Sequence, residues 1–175
     1  YAMYSSVENV YKIVRENDSF SAKEKDAICN AKNNIIKQWM ISGDKSRKKN
    51  NLYRKWMRLQ LENIALSSYV KYENCATVAI YGCAEIGKMI CDELLKENIL
   101  VAYFIDQKVV ESYRDIPIYS LVDNLPQVDM IMISLLEGEK GVGNVLAEKT
   151  NAKIVDISQV VEFLTSNLAK KNPNI

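Results

Sequence analysis

Along the first seventy positions the apolar residues recur at intervals of three and four, whereas from position 77 onward they come in short continuous runs. Val7, Val10, Tyr11 and Val14 have helical spacing. Ser21-Ala22-Lys23-Glu24 has the form of a capping box, in which the Ser oxygen takes a free backbone N–H and the Glu reaches back. Behind that cap Ala27, Ile28, Ala31, Ile35, Trp39 and Met40 can share one apolar face, and Ser42-Gly43-Asp44 is the expected stop. A third helix is predicted from near Asn51 through Leu52, Trp56, Leu59 and Ile64.

The later runs predict strands. Thr77 to Tyr81 is β-rich and ends at Gly82, and Ile86, Met89, Ile90, Leu94 and Leu95 follow at helical spacing. Further strands are expected at Leu100 to Ile105, Ile116 to Tyr119, Val128 to Ser134 and Ala152 to Val155, with helices at about Val142 to Lys149 and Ser158 to Leu168. Near-continuous apolar strands separated by helices indicate a parallel sheet covered on both faces. The predicted fold is α/β: N-terminal helices followed by a Rossmann-like, doubly wound parallel sheet of about five strands.

Charge sharpens this division. The total of +1 conceals 14 basic and 8 acidic residues over 1–76 against 9 and 14 over 77–175; all three prolines and five of the six glycines fall in the later part. The boundary is placed between Tyr69 and Ala76, separating a helical segment with a basic linker, 1–70, from a nucleotide-binding domain, 77–168. The chain has no histidine, which removes Ser-His-Asp and Cys-His nucleophiles and zinc sites with His ligands. Cys29, Cys75, Cys83 and Cys91 form no metal-ligand pattern and read as reduced thiols of a cytoplasmic protein. No apolar run approaches the ~20 residues of a membrane span. The start at Tyr1-Ala2-Met3 suggests a piece of a longer chain.

The candidate site is Gly82-Cys83-Ala84-Glu85-Ile86-Gly87, a G-x-G-x-x-G pattern with Ala at its second glycine. Gly82 turns the chain off the strand, a small residue at 84 lets a diphosphate approach the backbone, and Gly87 lets the helix pack closely. Asp106, 24 residues after Gly82 at the end of the second strand, can accept hydrogen bonds from a ribose diol. The same residues also fit a purely structural turn: Glu85 would occupy the positive helix end in place of ligand charge. Cys83 reads better as a small turn residue than as an activated thiolate.

Catalytic pairs are missing. None of the ten tyrosines is followed by Lys four positions later, so the Tyr-x-x-x-Lys pair of short-chain oxidoreductases is absent. Met89 stands where a Walker motif needs Ser or Thr. Glu137 and Glu139 follow the fourth strand as a candidate acid/base pair or a solvated loop. Lys45, Arg47, Lys48, Lys49, Arg54, Lys55 and Arg58, with Tyr53 and Trp56 interleaved, are consistent with peripheral contact to anionic lipid, with a polyanion, with the acidic second half of the same chain, or with a solvated face whose aromatics enter the core. A near-neutral chain without a helix-turn-helix or RNA-binding signature argues against nucleic acid.

From Asn51-Leu52-Tyr53-Arg54-Lys55-Trp56 through Tyr69-Val70 to Val78-Ala79-Ile80-Tyr81-Gly82-Cys83-Ala84-Glu85-Ile86-Gly87-Lys88, the chain resembles a C-terminal Rossmann-like module of bacterial family-2 glycosyltransferases with a GT-A fold. Tyr103-Phe104-Ile105-Asp106 and Asp115-Ile116-Pro117-Ile118-Tyr119-Ser120-Leu121 are similar to the N-terminal nucleotide-binding units of sugar acetyltransferases and nucleotide-sugar dehydratases. The resemblance spans about 51–160, and Ala84 departs from its usual glycine. It implies cell-surface polysaccharide biosynthesis, a nucleotide or nucleotide-sugar ligand at Gly82, Glu85 and Asp106, and no catalytic residue in this segment. The function expected is a non-catalytic accessory module binding NAD or a nucleotide sugar. Two alternatives stay open: an NAD(P)-dependent oxidoreductase or epimerase using Tyr103, Tyr119 or Glu137, and a ligand-free structural module that forms a homodimer.

Overall fold

The computed structural model describes residues 2–107, 112–136 and 139–171. The chain divides into two compact units, 1–48 and 49–175. This division lies upstream of the change in composition at 69–76, and it falls inside a helix.

The first unit holds α1 (Ala2–Glu16) and the beginning of α2 (Ala22–Leu61). The capping box at Ser21 forms: Glu24 accepts the Ser21 N–H at 2.8 Å and the Ser21 hydroxyl at 2.6 Å. The expected stop at Ser42-Gly43-Asp44 does not occur, and two predicted helices are one helix of 40 residues. An interior glycine costs a helix only about 1 kcal/mol relative to Ala, and Asp44 supports the turn that follows through Arg47 and Lys48 at i+3 and i+4.

Helix termination falls instead to asparagines in the left-handed region. Asn63, Asn74 and Asn98 have φ of 55°, 56° and 58°. Each follows a helix end, α2, α3 (Ser67–Tyr72) or α4 (Glu85–Lys96). The residue after each Asn donates its N–H five positions back, Ile64 to Leu59, Cys75 to Val70 and Ile99 to Leu94. This is the Schellman closure, with Asn at the position glycine usually takes.

The second unit is built on six strands, one more than the approximate count from sequence: β1 (Thr77–Tyr81), β2 (Leu100–Ile105), β3 (Ser112–Tyr113), β4 (Ile116–Tyr119), β5 (Met130–Ile133) and β6 (Lys153–Asp156). The additional strand, β3, has two residues and carries no apolar run. It exists because Arg114 and Asp115, both at positive φ, form a two-residue hairpin that pairs it antiparallel to β4. All other pairings are parallel, and the order is β3-β4-β2-β1-β5-β6.

Both faces are covered. Ile86, Ile90 and Leu94 of α4, Val160, Val161 and Leu164 of α6 (Ile157–Lys171), and Leu52, Trp56 and Leu59 of α2 pack with Val78, Ile80, Phe104 and Met130. On the other face Leu146 of α5 (Glu139–Lys149) and Val128 meet Ala79, Tyr81, Tyr103 and Ile131. β1 and β5 are buried along nearly their whole length, as the continuous apolar runs require. Asp129 joins the starts of these strands: its Oδ2 accepts the Ala76 and Thr77 N–H groups at 2.8 Å. The β1 end of the sheet is thereby fixed before the site is reached.

Candidate functional site

β1 pairs with β2 on one side and β5 on the other, so chain direction through the sheet reverses there. At such a switch point the carboxyl ends of neighbouring strands leave a crevice in which open α/β sheets place ligands. The Gly82 to Gly87 turn stands at this crevice because it is the connection from β1 to α4.

Each glycine has a geometric cause. Gly82 has φ +94°, and a Cβ there would lie 2.5 Å from Ser134 Oγ. At Gly87 a Cβ would lie 1.9 Å from the Gly82 carbonyl oxygen, so α4 seats directly on the turn. The turn is tied on both sides: Gly82 donates its N–H to Ile105 O at 2.7 Å, and Ser134 donates its own to Tyr81 O at 2.9 Å. The buried Ser134 hydroxyl stands 2.8 Å from Tyr81 O and 3.2 Å from Gly82 O. Sequence reasoning missed Ser134; its only signal is a polar residue closing the most apolar strand.

Asp106 and Cys83 come together: Asp106 Oδ2 accepts the Cys83 N–H at 2.7 Å. The acid at the end of β2 thus stabilises the glycine turn directly. Burial pushes the Cys83 thiol pKa up, Lys88 pulls it down, and Asp106 pushes it up again. The net direction is upward, which disfavours the thiolate at Cys83.

Ala84 is extended at φ −88° and ψ −166° and places no side-chain cap on α4. The first-turn N–H groups of any helix lack intrahelical acceptors, and α4 starts just after the carboxyl end of β1. Glu85 begins this turn, and Ile86 points into the core, 8 % exposed. Lys49 Nζ meets Glu85 Oε2 at 2.7 Å. Lys49 and then Tyr53 hold the Glu85 carboxyl below its ordinary pKa, and Glu85 raises that of Lys49. The buried Tyr53 hydroxyl lies close enough to feel both charges without a hydrogen bond of good geometry, and burial, then Glu85, raise its pKa. Lys49, 36 positions from Glu85, could not be assigned to this site from local sequence.

The remaining candidates fall elsewhere. Tyr103, 1 % exposed, donates its hydroxyl to Pro126 O at 2.7 Å, and its ring packs 5.3 Å from that of Tyr119. Burial first, then Tyr119, raises the Tyr103 pKa, the opposite of what an acid/base phenol needs. Glu137 lies outside the described residues, as does the side chain of Glu139. In the basic cluster Lys55 pairs with Glu162 at 3.0 Å, Arg54 donates to Asn51 at 3.2 Å, and Trp56 is 2 % exposed. Among the described residues no three side chains converge as a metal site, and no helix is long and apolar enough to cross a membrane.

The site therefore consists of a glycine turn packed against Ser134 and α4, a helix start without a side-chain cap and an adjacent Lys–Glu pair. No known family model, curated protein or solved structure matches the chain.

Proposed function

We propose that the second unit is a Rossmann-like, non-catalytic module that binds a nucleotide or nucleotide sugar, as an accessory to a bacterial glycosyltransferase of cell-surface polysaccharide synthesis. The observation that carries the binding reading is the Gly82 to Gly87 turn at the sheet's switch point, leading into a helix without a side-chain cap. Taken without β3, the parallel strands run third, second, first, fourth, fifth, the order of dinucleotide-binding sheets. The glycosyltransferase context rests on the sequence resemblance alone. In this reading the phosphates lie against residues 83–87, NAD being one candidate, and the Ala84 methyl favours a ligand that does not press hard on the turn.

A second reading has its own observation. Asp106 is spent on the Cys83 N–H, and the Lys49–Glu85 pair supplies opposite charges at the helix start, which together suit a closed, ligand-free turn.

Calorimetric titration of the intact chain with UDP, UDP-sugars, NAD and CoA separates the two, with Glu85→Gln run in parallel. Binding by the unmodified chain, tightened in Glu85→Gln by removal of the carboxylate beside the phosphates, is the expected result. Heat from neither protein with any of these compounds overturns the nucleotide reading.

A further inference from the structure

The first unit is a two-helix hairpin in which none of the described side chains of 9–48 is buried. Two helices of this size enclose no core of their own, and so small a unit buries too little surface to be more than marginal by itself. The hairpin's seam is set by Tyr11, whose ring carries Lys32 Nζ at 4.2 Å from its centroid and whose hydroxyl interacts with Cys29.

From that seam Val10 on α1 and Ile28 and Ile35 on α2 each step one residue to the same side. In an antiparallel pair the positions preceding the seam on both helices share a face. Ile13 and Ala31 widen this face, and Trp39 extends it along α2. Val10, Ile13, Ile35 and Trp39 are 59 %, 66 %, 51 % and 39 % exposed.

We propose that this face docks on the same face of a second copy of the chain, forming a four-helix bundle about a two-fold axis. The four exposed side chains contribute on the order of 400 Å² of apolar surface, already the size of the largest patch on a typical monomer. With Ile28, Ala31 and the rim residue Gln38, the face approaches the ~800 Å² that each partner covers in a stable dimer. A two-fold contact requires a surface complementary to itself, and a row of apolar side chains whose one charge in line, Glu24, is turned to Ser21 meets that requirement. The charge pattern disfavours an anionic bilayer as occupant. Helical spacing puts Lys12, Arg15, Lys23 and Lys37 away from this face and Lys25 and Lys32 on its seam edge, where Lys32 is held over the Tyr11 ring. Cations therefore border it on one flank only, whereas a lipid-binding helix has them on both.

The test is the mass of the full chain in solution, by light scattering and sedimentation over a range of micromolar concentrations, with and without lipid vesicles. The expected mass is twice the 20.0 kDa of one chain. Dilution through dissociation is expected to lower the helical signal, a readout that needs no variant. Ile35→Glu combined with Trp39→Glu should weaken dimerisation by at least tenfold. Met40→Glu, one residue further along but on the other side of the seam, should leave it intact. A monomer at every concentration overturns the proposal, as does a dimer that survives the double substitution. A monomer that floats with anionic vesicles overturns it in favour of a lipid surface.

Discussion

Asp106 at the end of β2 accepts the backbone N–H of Cys83 at 2.7 Å, so the residue that would read a ribose also stabilises the glycine turn. The two roles are physically coupled: the carboxylate must stand at the carboxyl edge of the sheet in either case. What differs is whether its hydrogen-bonding capacity is directed at the chain or at a ligand.

Asp106→Ala leaves the Cys83 N–H without its acceptor and should cost about 1.5–3 kcal/mol of unfolding free energy, the range for a hydrogen bond to a charged group. Asp106→Asn retains an acceptor oxygen and should lose less. Urea unfolding of the three proteins checks the ranking. Equal stability of Asp106→Ala and the unmodified chain would remove the structural role.

Glycine contributes oppositely at two positions. Gly87→Ala drives a Cβ to 1.9 Å from the Gly82 carbonyl, which neither backbone can relieve without shifting α4, and should cost about 3 kcal/mol or more. Gly43→Ala meets nothing within 4 Å and lies inside α2. It should stabilise the helix by about 0.5–1 kcal/mol by lowering the entropy of the unfolded chain. Thermal and urea unfolding of both variants tests the pair together.

This contrast also shows where sequence carried the structure and where it did not. The β1 run, Gly82, Gly87 and the apolar face of α4 were legible because each is a local consequence of backbone geometry. Gly43 does not stop α2 because it keeps helical backbone, and glycine ends a helix where the chain turns into the left-handed region. Asn63, Asn74 and Asn98 do so, and the repeated Glu-Asn pair before an Ile or Cys was the available signal. β3 was missed because two residues show no periodicity. Lys49 at Glu85 is a contact between distant segments, set by how α2 packs rather than by any local pattern, whereas the strand-end spacing already places Asp106 beside the turn and only its bond to the Cys83 N–H comes from the packing of β2.

Glu93 on α4 collects three donors: the Trp56 indole N–H at 2.6 Å, Gln60 Nε2 at 3.2 Å and the Leu66 N–H at 2.8 Å. It therefore fastens the C-terminal end of α2, and the entry to α3, onto the helix that carries the candidate site. Trp56→Phe keeps most of the buried ring but loses the charge-assisted hydrogen bond and some packing, so a loss of about 1–3 kcal/mol is expected. Glu93→Ala should cost at least as much, because it also leaves the Leu66 N–H unpaired. If the double variant is no worse than the more damaging single one, the two residues act as one unit.

Asp129 provides the pH dependence. The N–H groups of Ala76 and then Thr77, with the Thr77 hydroxyl, hold its carboxyl below the ordinary value of 3.8. A depressed folded-state pKa means that the unfolded chain takes up the proton first as pH falls. The stabilisation is therefore complete above the unfolded value and disappears as pH drops through the lower folded one. Asp129→Asn removes the charge while keeping the shape, so it should melt below the unmodified chain near neutral pH. The gap should stay constant down to about pH 5 and close progressively in stronger acid, where the native carboxyl is itself protonated. Melting curves of both proteins across that range check the sign. A gap independent of pH would mean that the strand starts are joined by geometry alone, with no contribution from the Asp129 charge.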